Sequence, residues 1–421
     1  MSIEENQKNQ LDLIIDAHGL DPVGHFFISE SLRHIGEEAP LPDVEFVVHY
    51  GGAGVEGHFN MWNPVFVQQK ERFLSIFRGA NDWWKFRDHH NVIPVAGLAQ
   101  IEILMERLPN LKAVLYPANY GSNHQWVQQN ELQHIHIGHG DSNKSASANK
   151  VFRLYDEVWV AGEAHIERFK NKKFNISGVE FKVIGQPWMK PMLENIQANK
   201  NEAMNWCYFP TWKGHKASQQ YSSISYFNEL HEKAFSKLPA NSMGLIKLHP
   251  LTELECITSI EQCLSTHGKN LVNAVQAQPT ANQPLISLAP LRMPIGEALA
   301  QNPKFVVCDI SAAVTECLYL NVPIMLFDPS LPSLPTQKIR ELYPGCYLFK
   351  NAEELNSLLV DVILQGNDTL STAREDMLAY TVDIMKTKNG AIFQELDRIS
   401  RTCHTGNPDQ ELRVLSNAQG F

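Results

Sequence analysis

Four short clusters in this 421-residue chain set histidine, lysine, hydroxyl and carboxylate groups at the spacing that gripping a phosphorylated ligand demands. The first is His139-Gly140-Asp141-Ser142-Asn143-Lys144-Ser145. Gly140 lets the backbone approach an anion closely, the helix expected after it offers free N–H groups, and Lys144 adds a positive charge. His139 exchanges a proton near neutral pH, which suits general acid–base work. The bland alternative is a helix N-cap dressed with solvated polar residues.

The second cluster is Gly244-Leu245-Ile246-Lys247-Leu248-His249-Pro250, an apolar strand ending in Lys247 and His249, with Pro250 fixing its exit. Polar groups at the C-terminal tip of a parallel strand face the ligand crevice, whereas a histidine packed for stability more often lies mid-strand. The third runs from Val306 to Glu316 and reads strand, tight turn, helix. Asp309 leads into the turn, Ser311 takes the N-cap position, and the N–H groups from Ser311 through Ala312 to Ala313 would face a phosphate. Glu316, one turn in, is placed for a ribose hydroxyl or a cationic partner. An ordinary capping motif has the same pattern.

The fourth, Phe209-Pro210-Thr211-Trp212-Lys213, offers a hydroxyl, a flat aromatic face and a charge in one loop, with Ser222 and Ser223 opening the next helix. Thr211 and Lys213 suit a nucleotide or polyol phosphate, while Trp212 equally suits a domain interface. Two weaker runs, 16–21 and 50–54, supply His18, Gly19, Gly51 and Gly52 as contacts for an acceptor. Glycine-rich strand ends are often only tight turns.

Short apolar runs alternate with amphipathic stretches throughout, the pattern of βαβ units and a parallel sheet. Strands are expected at 11–16, 44–49, 92–95, 112–116, 132–137, 157–161 and 181–184, and a second series at 206–209, 244–247, 285–288, 305–308, 323–327 and 346–349. The fold class is therefore α/β, with two Rossmann-like domains facing a central cleft. The N-terminal domain is read as 10–190 and taken as the acceptor side. The C-terminal domain, 191–403, is taken as the nucleotide-donor side, with a long terminal helix over 372–401 crossing back to the first domain. A polar tail, 404–421, follows. Ligands of such sheets bind beyond the C-terminal strand ends, where the four clusters fall.

Composition narrows the function classes. With 43% hydrophobic and 19% charged residues the chain is globular, and its formal net charge of -10 argues against broad capture of nucleic acid. Any anion site must be local. Seven scattered cysteines lack the spacing of a zinc ribbon or a disulfide framework, so they are read as reduced thiols. The polar start MSIEENQKNQ lacks the pattern of a signal peptide, and no apolar run is long enough to span a bilayer. The expected location is cytoplasmic, with any membrane contact peripheral. The aromatic stretch 73–87 is either a docking surface or a core helix.

The ordered set of His139-Gly140 with Lys144, Pro210-Thr211-Trp212-Lys213, Lys247 with His249-Pro250, and Asp309 with Ser311 and Glu316 resembles the CDP-glycerol glycerophosphotransferase (TagF-like teichoic-acid polymerase) family. The match spans roughly 130–400 and includes Asn389-Gly390. The resemblance implies a GT-B-like fold and transfer of a polyol phosphate from a CDP-polyol donor to a hydroxyl of a glycan or lipid-linked acceptor, releasing CMP without a cofactor. It maps the family's two functional histidines onto His139 and His249. The chain departs from the family in Ser311-Ala312, where paired serines are usual, and in Asp141-Ser142-Asn143, where Thr-Pro-Leu is usual.

A GT-B glycosyltransferase or sugar-nucleotide epimerase shares the cleft and the phosphate-binding helix, so fold alone does not separate it from this reading. A metallohydrolase is the third candidate, since His134, His136 and His139 have the spacing of some zinc sites. The acidic residue that pattern wants is absent at Gly138, so no metal is assigned. A non-catalytic binding protein fits least well with His and Lys clustered at strand ends.

Overall fold

The computed structural model describes residues 22–52, 54–140, 148–172, 175–196, 204–214, 220–266, 284–291 and 293–402. The expected strand 11–16 and the tail 404–421 lie outside them.

Two all-parallel sheets organise the chain. The first contains β1 (Phe46–Tyr50), β2 (Phe73–Phe77), β3 (Val92–Pro94), β4 (Ala113–Tyr116), β5 (Gln133–His136), β6 (Glu157–Val160) and β7 (Glu180–Val183), in the order β3-β2-β1-β4-β5-β6-β7. The second contains β8 (Met204–Phe209), β9 (Ser242–Ile246), β10 (Leu285–Leu288), β11 (Phe305–Cys308), β12 (Ile324–Phe327) and β13 (Tyr347–Phe349), in the order β10-β9-β8-β11-β12-β13. Helices cover both faces, so central strands such as Phe46–Tyr50 are buried on both sides and read as continuous apolar runs. Each sheet reverses its winding once, between β1 and β4 and between β8 and β11. The chain diverges to opposite faces at these points and leaves a crevice beyond the strand ends. This is the α/β architecture of two Rossmann-like domains that the alternating pattern implies.

Two expectations need correction. The stretch 73–87 is neither one docking surface nor one core helix. Phe73–Phe77 is β2, paired in register with β1, and only Ala80–Phe86 is helical, with Trp83 and Phe86 buried. The terminal helix is not continuous over 372–401. It divides into Ser371–Thr381, Ile384–Lys388 and Ala391–Thr402. Val382 adopts extended backbone, the Asp383 side chain accepts from Lys386 N and starts a new helix, and Gly390 turns the chain at φ 65.

The breaks let the segment return across the first domain. Ile392, Leu396 and Ile399 join the core around β1 and β2. Arg398 pairs with Glu157 at 2.6 Å, and Arg72 with Asp397 at 2.7 Å. At the crossover between sheets, Gly185 sits at φ 74 with the Thr387 backbone so near that an added Cβ would meet its nitrogen at 2.6 Å. Trp188 packs against the cores of both domains and meets Trp62 edge-on at 5.0 Å. The cysteines described are free thiols, all buried except the half-buried Cys263.

Candidate functional site

β5 carries the chain to His139 at the C-terminal edge of the first sheet. Gly138 and Gly140 both have positive φ, 71 and 114, so the backbone folds back on itself where other residues would be strained. The Trp62 indole holds this turn by donating to Gly138 O at 2.7 Å. His139 Nδ1 lies 2.8 Å from Pro117 O. Because a carbonyl only accepts, Nδ1 carries the proton and Nε2 keeps a free lone pair. The His139 side chain remains exposed, yet surrounding protein lowers its pKa, the combination expected on the floor of a cleft.

His58, on the helix Val55–Phe66, packs against it with ring centroids 4.1 Å apart. Its Nδ1 lies 2.6 Å from Tyr120 OH. Burial first, and the neighbouring His139 and His136 next, push the His58 pKa down to about 2. His58 and Tyr120 are missed by a reading of the four clusters. The available signal was the position of His58 just beyond the glycine-rich end of β1.

The second sheet approaches from the other side. A Cβ placed on Gly140 would lie 3.2 Å from Ala312 Cβ, so the His139-Gly140 turn touches the first residue of the helix Ala312–Cys317. Ser311 occupies the N-cap position without a side-chain cap bond, which leaves its hydroxyl outside the helix ladder. Asp309 is fully buried. Its Oδ2 accepts from Thr211 N at 2.7 Å and Ser223 N at 3.0 Å, and its Oδ1 from Ser223 Oγ at 2.5 Å. Asp309 thereby ties the β8 loop to the β11 turn, while the buried Thr211 Oγ1 has no partner among the described residues.

Lys247 and Glu316 are both buried beneath this surface. Burial lowers Lys247 to about 8 and raises Glu316 to about 7, and each partly offsets the other's shift. The Trp188 indole also favours ionised Glu316, although its Nε1 completes no hydrogen bond among the described residues. Lys247 Nζ donates to Leu248 O at 2.9 Å. His249 Nδ1 accepts from Leu251 N at 3.1 Å, which leaves the proton of the neutral ring on Nε2. Trp212 lies 6.3 Å from His249, ring to ring, and Lys213 pairs with Glu255 at 3.5 Å.

The structure thus joins His139-Gly140 to Ser311-Ala312, Thr211 to Asp309 and Trp212 to His249, and sets Lys247 and Glu316 near enough to feel each other's charge. Gly51 and Gly52 stand at the end of β1, close to Ser122 and Tyr120 respectively. Lys144, His18 and Gly19 lie outside the described residues. The histidines at 134 and 136 do not form a metal site with His139, although His136 is close enough to His139 for its own pKa to be lowered, after burial, by that neighbour. His134 has both ring nitrogens engaged, with Tyr116 OH at 2.9 Å and Gln129 O at 3.1 Å, and His136 packs on Phe152 and Tyr155. Among the described residues no group of three metal-ligating side chains converges.

No family model matches the sequence, and no curated protein does. Solved structures do. The wall teichoic acid polymerase TagF is 12% identical with TM-score 0.50 over 98% of this chain and 100% of that one. HepE from Anabaena, in complex with UDP and glucose, is 11% identical with TM-score 0.50 over 84% and 100%. A protein assigned as a UDP-N-acetylglucosamine 2-epimerase, from Listeria monocytogenes, is 11% identical with TM-score 0.52 over 87% and 98%. At such identities the likeness is one of fold, and the chain shares the two-domain GT-B arrangement of these proteins.

Proposed function

We propose that this protein is a transferase that moves a polyol phosphate, glycerol or ribitol phosphate, from a CDP-polyol to a hydroxyl of a cell-surface glycan or lipid-linked acceptor. The observation that carries the reading is the contact of the His139-Gly140 turn with Ala312. It sets an imidazole with a free Nε2 against the start of a helix in the second domain. The donor diphosphate lies between these parts, with Lys247, His249 and the Ser311-Ala312 turn offsetting its charge. Phosphoryl transfer depends chiefly on such positioning and charge compensation.

In the reaction the acceptor oxygen attacks the phosphorus that bears the polyol. The bond from that phosphorus to the bridging oxygen breaks, and CMP leaves with that oxygen. His139 Nε2 removes the acceptor proton, and His249 Nε2–H donates toward the departing phosphate. Asp309 positions the loop of Thr211 and Lys213, and the buried Glu316 serves the cationic partner Lys247 rather than the ribose. Gly51 and Gly52 contact the acceptor, as do His18 and Gly19. Contact with a lipid-linked acceptor is read as peripheral; no described helix is long and apolar enough to cross a membrane.

The likeness in fold to HepE, in complex with UDP and glucose, and to the protein assigned as a UDP-N-acetylglucosamine 2-epimerase defines the competing reading, a sugar-nucleotide glycosyltransferase or epimerase. Unfolding midpoints with CMP, CDP, UMP and UDP separate the two. A rise with the cytidine nucleotides, followed by acceptor products heavier by one or more polyol phosphates, is the expected result. Stabilisation by UDP alone rejects the polyol-phosphate reading.

A further inference from the structure

The guanidinium of Arg78 stands at the end of β2 without a carboxylate partner among the described residues. Its Nη2 donates to Ala96 O at 3.0 Å and to Gln125 Oε1 at 2.5 Å, both neutral acceptors. Its Nε and Nη1 are buried and bonded to nothing among the described residues. An N–H of a charged group withdrawn from water in this way is costly unless a ligand completes it. Burial lowers even this arginine, to about 10.

A second unfinished group lies on the next strand. His49, on β1, is fully buried. Its Nδ1 meets Asn123 Oδ1 at 2.9 Å. Asn123 Nδ2 is already spent on Ala118 O at 2.9 Å and Tyr155 OH at 2.8 Å, so the histidine is the donor in that bond. Its Nε2 is therefore a bare acceptor, and it has no partner among the described residues. Burial and the charge of Arg78 hold this ring neutral, with a pKa of about 3. The position is the strand tip, since a Cβ on Gly51 would fall 2.8 Å from that nitrogen. An unsatisfied cation and an unsatisfied lone pair thus sit at adjacent strand ends, beside the β1/β4 crevice.

We propose that Arg78 and His49 form an anion subsite on the first domain, in which Arg78 binds a phosphate or carboxylate and His49 Nε2 accepts from a hydroxyl beside it. The inference deepens the transferase reading, on which it rests for calling the ligand the acceptor. From β2 to β5 is three strand spacings, roughly 14 Å, so the anion sits well apart from the hydroxyl at His139. The subsite selects acceptors that already carry negative charge at that distance.

The test is thermal unfolding of the full chain, without donor, titrated with inorganic phosphate, glycerol 3-phosphate and acetate at fixed ionic strength. Wild type is expected to gain midpoint saturably, most with glycerol 3-phosphate, whose hydroxyls serve His49. Acetate outranking phosphate assigns a carboxylate and still supports the site. Arg78→Met should abolish the response and leave the ligand-free midpoint equal or higher, because an uncompensated charge is removed. An unchanged phosphate response in Arg78→Met, or no response in wild type, overturns the proposal. CDP stabilisation should survive in Arg78→Met, and its loss there counts against a separate subsite. If cytidine nucleotides fail to bind wild type while the Arg78-dependent anion response stands, the transferase reading falls and the anion site remains. In turnover assays, loss of a charge-assisted bond predicts a roughly 10–100-fold rise in KM for the anionic acceptor, with KM for the donor unchanged.

Discussion

The rings of His58 and His139 lie 4.1 Å apart between centroids, and the residues that hold them differ: Tyr120 OH for His58 and Pro117 O for His139. Two imidazoles so close do not both ionise, and the crowded one stays neutral. Burial lowers His139 from 6.5, so it is in its basic form at neutral pH. As pH falls through a lowered pKa the base is lost, so the acid limb of kcat/KM is expected below pH 6.5. A limb at or above that value, measured with saturating donor, contradicts His139 as the base.

His139→Ala and His249→Ala should each lower turnover by about 10²–10⁴-fold, the range for loss of a positioned acid or base. Neither ring is a core element, so the unfolding midpoint should hold within a few degrees. Near-normal turnover in either variant rejects its catalytic role.

Asp309→Ala should destabilise the second domain, by roughly 3 kcal/mol or more, since three buried donors on Thr211 and Ser223 lose their acceptor. Denaturant unfolding checks this. A loss of activity with stability intact would move Asp309 from positioning the loop to contacting the ligand.

Glu316 has a folded pKa near 7 against an ordinary 4.5. Between those values the folded protein holds a proton that the unfolded chain has released, so stability falls as pH rises through that window. The loss is on the order of 3 kcal/mol at most. Glu316→Gln should flatten the slope of the midpoint between pH 4.5 and 7, and an unchanged slope would place its source elsewhere.

Gly140→Ala combines an unfavourable φ of 114 with a methyl 3.2 Å from Ala312 Cβ. Pushing the two domains apart at this point should weaken nucleotide binding, by roughly tenfold for a local cost of about 1–3 kcal/mol. Equilibrium binding of CDP to wild type and variant gives the answer.

Much of the architecture is legible from local pattern. Phe305–Cys308 is an apolar run bounded by Lys304 and Asp309, and Leu285–Leu288 is similarly set off, so both strands stand where the alternation puts them. A strand buried on both faces announces itself by apolarity, and the parallel βαβ repeat then implies crevices at the strand ends. Phe73–Phe77 escaped because its apolar run merges with the aromatic helix behind it, and only pairing with β1 separates the two. The division of the terminal helix likewise follows from where Val382 and Gly390 must bend to reach the first domain's core.

The types of the chemical groups are written in the clusters, but their neighbours are not. Nothing in the order of residues brings His58 onto His139, Gly140 onto Ala312, or leaves Arg78 beside Gln125 instead of a carboxylate. Periodicity constrains neighbours a few positions apart, whereas these contacts join segments tens to well over a hundred residues distant. Chain closure around two cores decides them, and burial then sets the charge of each group, holding His139 basic, Lys247 near 8 and Glu316 near 7.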